Sequence, residues 1–277
     1  MIVEASAPCR VEIAGGIAGG KTVAVAIDRR AWCRLETGLE GVELESKDAL
    51  RKARGRTLSE IPDAGPLGRV ARVLRSLGLE EGLRVVTQSR VPEGAGLGEE
   101  EALAAALVGA AARALGREPG EGGIAARGGV VEVGTDGGCT SLTVDPGRVE
   151  ECLLLVQCDA PLRAIGPAEE PIVASVAQRV RAALVGGRFE AVVALWREEW
   201  EARGAGAPET ARRIAGIVGD AGGAVRACGG RGGTVLAAWA PPGERGPGRR
   251  EALLEAARAA GLRLFPARVD LLGRDVG

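Results

Sequence analysis

Apolar and polar residues alternate from Ile2 to Ile13 and again from Thr22 to Trp32, which predicts two strands joined through a glycine-rich turn. Val42–Glu45 reads as a shorter third strand. Pro66–Leu79 sets Leu67, Val70, Val73, Leu74 and Leu77 on one face of a helix, and Leu83–Thr87 returns to strand periodicity. Glu99–Leu115 is Ala/Leu-rich on most sides, the mark of a buried helix. After a loop-like stretch at 117–129, Val130–Val133 and Thr140–Val144 form a hairpin turning at Gly137-Gly138. Asp145-Pro146-Gly147 is a turn signal, and a division into 1–147 and 148–277 falls there.

The second half opens on a buried-strand run, Cys152–Cys158. Helices are expected at Pro171–Val185, Phe189–Arg203, Pro208–Ala221 and Arg249–Ala260, with strands at Val225–Cys228 and Val235–Ala240 and a closing strand region in Arg263–Leu272. Strands and helices alternate throughout, so the class is α+β or α/β. No internal repeat is visible. Trp196 and Trp200, four residues apart, are expected in a core or interface, and the Arg-rich stretch Arg51–Arg56 on a solvated surface.

Composition narrows the chemistry. The 277 residues contain no His, Tyr or Asn, and 33 of the 36 basic residues are Arg. Without imidazole there is no Ser-His-Asp or Cys-His catalysis and no His metal site, so acid–base work falls to Asp, Glu, Lys, Cys or metal-held water. A net charge of −1 and two Phe give neither the cationic footprint nor the stacking rings of a nucleic-acid binder. The six cysteines form no C-x-x-C pair and read as small buried hydrophobes in a reducing compartment. The opening M-I-V-E-A-S-A-P lacks the basic-then-apolar pattern of a signal peptide. No apolar run reaches about 18 residues. A cytoplasmic protein without membrane contact is expected.

Glycine, 44 of 277 residues, gathers in three clusters. Gly15–Thr22 fits G-x-x-x-x-G-K-T, the pattern of a phosphate loop. That loop needs a helix behind it, whereas T-V-A-V-A-I-D after it is a strand; strand–turn–strand is the better reading, and a P-loop NTPase the minor one. Val91–Gly98 precedes a long helix, where loop amides converge on an anion. The plainer reading is a tight turn with Glu99–Glu101 favouring the helix dipole. The third cluster, Cys228–Gly233, precedes a strand and lets a backbone approach a ligand closely or simply forms a flexible hairpin.

Taken in this order and spacing, the clusters resemble the GHMP kinases, the superfamily named for galactokinase, homoserine kinase, mevalonate kinase and phosphomevalonate kinase. Its heptose-phosphate kinase and fucokinase group is nearest in flavour. The resemblance rests on Ala7-Pro8-Cys9-Arg10, Gly15-Gly16, Ala26-Ile27-Asp28, the Pro92–Gly98 loop and Cys228–Gly233. It implies a two-domain α+β fold, with a ribosomal protein S5 domain 2-like N-terminal domain and a ferredoxin-like C-terminal domain. ATP and Mg²⁺ would sit between them, on Pro92, Gly94, Gly96, Leu97, Gly98, Glu99, Glu100, Gly229, Gly230 and Gly232. The acceptor, a sugar or sugar phosphate, would lie near Arg10, Gly15 and Gly16, and a homo-oligomer is compatible.

The departures bear on activity. Glu99-Glu100 stand where the family has Ser-Ser. A carboxylate there repels phosphate, fills the amide nest itself, or binds Mg²⁺ directly. The family's catalytic aspartate would fall near Val130, where there is no acid; Asp136 is a substitute candidate and Glu132 a nearby carboxylate. The acidic residue after the first Gly-Gly, near Gly19, is also missing. Two functions follow: a small-molecule kinase with rearranged chemistry, or a non-catalytic member that binds a metabolite or a partner.

Overall fold

The computed structural model describes residues 1–16, 20–92, 94–120, 124–158, 164–228, 234–241 and 248–277. Strand β1 (Ile2–Ala14) buries alternate side chains and then a continuous run, and it pairs antiparallel with β2 (Thr22–Thr37). The ladder shifts register between Pro8 and Arg10. Proline has no N–H to give a ladder, so an irregularity beside it is expected. There the Arg10 N–H donates to Leu97 O at 2.7 Å, which ties the second glycine loop to β1.

The first sheet also holds β3 (Val42–Ser46), β4 (Arg51–Gly55), β5 (Leu83–Ser89), β6 (Val130–Val133) and β7 (Cys139–Ser141). The start of β2 pairs with β6 and its end with β5, so one strand carries two neighbours along the same edge. Helix α1 (Gly65–Ser76) and helix α2 (Glu99–Ala114) cover this sheet, α2 lying on β1 and β2 with its Ala face buried. A side chain of alanine size lets a helix approach a sheet closely, which is why so Ala-rich a segment sits there.

Two segments differ from the sequence reading. Arg51–Gly55 is an edge strand, held by its ladder to β3 although its side chains remain largely exposed. Asp145-Pro146-Gly147 opens α3 (Pro146–Cys152), with the Asp145 side chain accepting from Gly147 N and Arg148 N and Pro146 in the first turn. A helix cap and a turn share those residue types.

Beyond α3 come β8 (Leu153–Gln157), α4 (Glu170–Val185), α5 (Ala191–Arg203), α6 (Glu209–Asp220), β9 (Ala224–Ala227), β10 (Val235–Trp239), α7 (Gly248–Ala259) and β11 (Leu264–Pro266). Their sheet runs β11-β8-β10-β9, all antiparallel, which is the ferredoxin-like arrangement. The tail then returns to the first sheet. Val269 bridges Ile27, and β12 (Asp275–Val276) pairs with β1. Arg30 fastens this return by pairing with Asp270 and donating to the carbonyls of Ser6 and Gly273. The two parts also share a core, where Trp196 meets Trp239 edge-on at 5.5 Å and donates to Ile13 O at 2.9 Å. Among the described residues no helix is long and apolar enough to cross a membrane.

Candidate functional site: an amide cup filled by its own acid

The loop before α2 takes three left-handed glycines, Gly94, Gly96 and Gly98, at φ of 77°, 80° and 66°. Only glycine adopts that conformation at little cost, and such runs turn successive N–H groups to one side. The loop therefore forms a cup at the helix tip. The cup is filled: Glu99 Oε1 accepts from Gly94 N at 2.7 Å and Glu99 Oε2 from Leu97 N at 3.2 Å. Each carboxylate oxygen takes one amide, as the oxygens of a phosphate would.

The neighbouring acids turn elsewhere. Glu100 reaches Arg69 at 3.5 Å and Glu101 reaches Arg10 at 3.6 Å. Glu99 and Glu100 thus do not converge, and among the described residues no group of three or more Asp, Glu, Cys or His side chains is placed to hold a metal.

Arg10 lies against the cup's helix end. A Cβ on Gly98 would come within 2.9 Å of Arg10 Cγ, so glycine there is required by contact as well as by φ. The Arg10 side chain is 12% exposed, and its buried Nε and Nη1 meet no hydrogen-bond partner among the described residues. The adjacent Cys9 thiol is pushed up to about 12 by burial, with Glu99 adding to the effect, so it stays neutral and supplies no thiolate. Beside the cup a cavity of about 60 Å³ is walled by Val70 and Val73 of α1, Thr87 of β5, and Glu99, Leu103 and Leu107 of α2.

The first glycine cluster is a different device. Thr22 opens β2 and its hydroxyl accepts from Gly16 N at 3.0 Å, so a strand follows the turn and the P-loop NTPase reading is overturned. Gly15 and Gly16 have φ of 80° and 82°. The Gly15 carbonyl accepts from the Arg226 guanidinium, which also donates to Glu12 O. Arg226 is buried and pairs through Nε with Glu199 at 3.1 Å, and Glu199 pairs with Arg203 at 2.8 Å. Burial, with Arg226 beside it, pulls Arg203 down from the usual arginine range. The sequence reading missed this triad. Its signals were an arginine inside the apolar run A-V-R-A and the i,i+4 pair Glu199/Arg203.

Asp136, the candidate base, is exposed at the β6–β7 turn and accepts from Gly138 N at 2.9 Å. No contact among the described residues ties it to the cup, so the structure does not join it to Glu99 or Arg10. Glu132 is buried on β6, 2.8 Å from Lys21 and paired with Arg181. Gly229, Gly230 and Gly232 lie outside the described residues.

Comparison with known proteins bears on the fold and on one segment. The profile for the GHMP kinases N terminal domain matches residues 66–142, which span α1, the cup and α2. A mevalonate kinase of Thermococcus onnurineus is 35% identical over 166 residues, 53% of this chain and 48% of that enzyme. The chain thus matches about half the length of that relative. A D-glycero-D-manno-heptose 1-phosphate kinase from Bacteroides thetaiotaomicron shares the fold at a TM-score of 0.73 and 17% identity, over 99% of this chain and 98% of that one. The Methanococcus jannaschii mevalonate kinase superposes at 0.64 with 16% identity, over 97% and 98%. The fold is the two-domain α+β fold of these kinases. Within that fold, residues 66–142 match the GHMP kinases N terminal domain.

Proposed function

We propose that this chain is a GHMP-superfamily protein whose phosphate cup is held shut by its own Glu99, and that it acts by binding a metabolite or a partner rather than by transferring phosphate from ATP. The observation that carries this reading is the Glu99 carboxylate on the Gly94 and Leu97 amides. An incoming phosphate meets donors already satisfied and a negative charge already in place. ATP and Mg²⁺ do not fit the cup in this conformation, and no step is drawn through them. The cavity alongside, about 60 Å³, is well below the roughly 150 Å³ that accommodates a benzene ring, so that cavity does not seat a purine. Phosphoryl transfer also wants a carboxylate to orient the acceptor, and Asp136 and Glu132 are engaged with other partners.

A second reading, an ATP-dependent kinase for a sugar or sugar phosphate, is favoured by the two unpartnered nitrogens of Arg10 beside the cup. In it Glu99 leaves the amides and, with Glu100, holds Mg²⁺.

Thermal shift with ATP, with and without Mg²⁺, separates the two. A closed cup gives no saturable shift for the wild type, while Glu99→Ser restores binding and a few kcal/mol of stabilisation at ligand well above its dissociation constant. ATP binding and ADP release by the wild type on any alcohol in a sugar and sugar-phosphate panel would replace the first reading with the second.

A further inference from the structure

A separate cavity of about 310 Å³ opens at the seam between the two parts of the molecule, walled by Lys21, Val23, Glu132, Ala177, Gln178 and Arg181. Lys21 and Glu132 come from the first sheet, whereas Gln178 and Arg181 come from α4, so neither part forms it alone. Of these residues the kinase-like reading weighs only Glu132, as a nearby carboxylate, and assigns no role to Gln178 or Arg181.

The charge count of the lining is unequal. One carboxylate, Glu132, is shared by two cations: Oε1 lies 2.8 Å from Lys21 Nζ and Oε2 accepts from Arg181 Nε. That leaves one net positive charge facing an open recess with low-dielectric walls on Val23 and Ala177. Donor capacity is left over as well. An ammonium offers three donors and a guanidinium five, yet Glu132 takes one hydrogen bond from Arg181 and meets Lys21 as an ion pair. Among the described residues the Nη groups of Arg181 and the amide of Gln178 meet no partner. Glu132 meanwhile holds the two long side chains at the cavity wall, so part of the ordering cost of binding is already met.

We propose that this cavity is a binding site for a small oxyanion, with Lys21, Arg181 and Gln178 as its donors and Glu132 as the residue that positions the two cations. The planar fork of Arg181 suits a carboxylate or phosphate, and the seam location means that an occupant touches both parts of the molecule at once. The proposal goes beyond the closed cup and does not depend on it.

Inorganic phosphate is the probe, titrated into the full chain by calorimetry and by thermal shift against chloride at matched ionic strength. The expected result is a saturable signal that falls about tenfold or more in affinity in the double variant Lys21→Gln/Arg181→Gln, and less in Gln178→Ala. Glu99→Ser and Gly94→Ala, which alter the cup, should leave the Lys21/Arg181-dependent component unchanged. A signal that follows Glu99 and ignores Lys21 and Arg181 would place phosphate in the cup and overturn the proposal. So would a wild type that responds to phosphate no more than to chloride. If the double variant unfolds early, charge-retaining Lys21→Arg with Arg181→Lys keeps the test open: it should retain phosphate binding weaker than wild type, and wild-type affinity there would remove the role assigned to the Arg181 fork.

Discussion

The two described glycine turns of the first part look interchangeable as strings of letters, and the fold uses them in opposite ways. Gly15-Gly16 is fastened from outside: Arg226, from β9 in the other part of the molecule, grips the Gly15 carbonyl and is itself neutralised by Glu199. Gly94–Gly98 is closed from inside by an acid one residue beyond its end. In the first, the Gly15 carbonyl meets a buried cation and the Gly16 amide is held by the Thr22 hydroxyl. In the second, the amides are engaged and the anion stands half-exposed at a helix tip. A buried charge commits the structure to its partner, whereas a rim charge can be exchanged. The first turn is therefore architecture, and the second is where a ligand has something to displace.

Breaking the fastened turn should have the larger effect. Glu199→Ala leaves Arg226 and Arg203 buried without their carboxylate, and removal of one partner from a buried ion pair costs about 3–5 kcal/mol. Urea unfolding should show the midpoint falling with little change in slope. Glu199→Gln, which keeps acceptor capacity and loses the charge, should fall in between. A wild-type midpoint for Glu199→Ala would mean that the triad does not hold the two parts together.

Smaller, and aimed directly at the contrast, is alanine in each turn. Both Gly15 and Gly94 have positive φ, so each substitution costs about 1–2 kcal/mol from conformation alone. Gly15 adds a contact: its Cβ would stand 2.1 Å from Lys21 O, a backbone atom, whereas a Cβ on Gly94 meets nothing within 4 Å. Gly15→Ala should thus destabilise by about 1–3 kcal/mol more than Gly94→Ala, because the turn must move to relieve the contact. Equal thermal shifts for the two variants would remove the distinction.

These expectations mark which parts of the molecule could be read from the chain. Long β1 and β2 were legible from alternation of period two, and buried α2 from its Ala/Leu run, while the ferredoxin-like arrangement of the second half came from the family resemblance. Edge strand β4 was not, since R-K-A-R-G has no apolar alternation and is a strand only because β3 offers a ladder. Asp145 was read as a turn because capping and turning use the same side-chain acceptor. At the site, the cup and the acid able to fill it were visible in G-A-G-L-G-E-E, but not that Glu99 turns inward while Glu100 faces Arg69. Asp136 was chosen for its place near a Gly-Gly turn; the fold spends it on that turn. The Arg226–Glu199–Arg203 triad adds to the i,i+4 pair Glu199/Arg203 an arginine 27 residues beyond Glu199 on another element, and no local period announces that second pairing.

The smallest effect is the one that ties the seam to pH. Glu132 is held below the ordinary carboxylate range, first by its hydrogen bond to Lys21 and then by Arg181, with burial opposing. A carboxyl whose folded value is depressed contributes stability that is fully present above its unfolded value, about 4.3, and is lost as pH falls through the lower folded value. Glu132→Gln cannot lose what it never had. Its thermal midpoint should lie below wild type at pH 7 by the worth of a partly exposed ion pair, about 1 kcal/mol or about 2–4 °C. The gap should narrow as pH is lowered below about 4, because there the wild-type carboxyl becomes protonated and releases Lys21 and Arg181. A gap that stays constant from neutral to acid pH would assign the loss to packing around residue 132 rather than to its charge. The Lys21 and Arg181 side chains would then be poised by something other than the carboxylate between them.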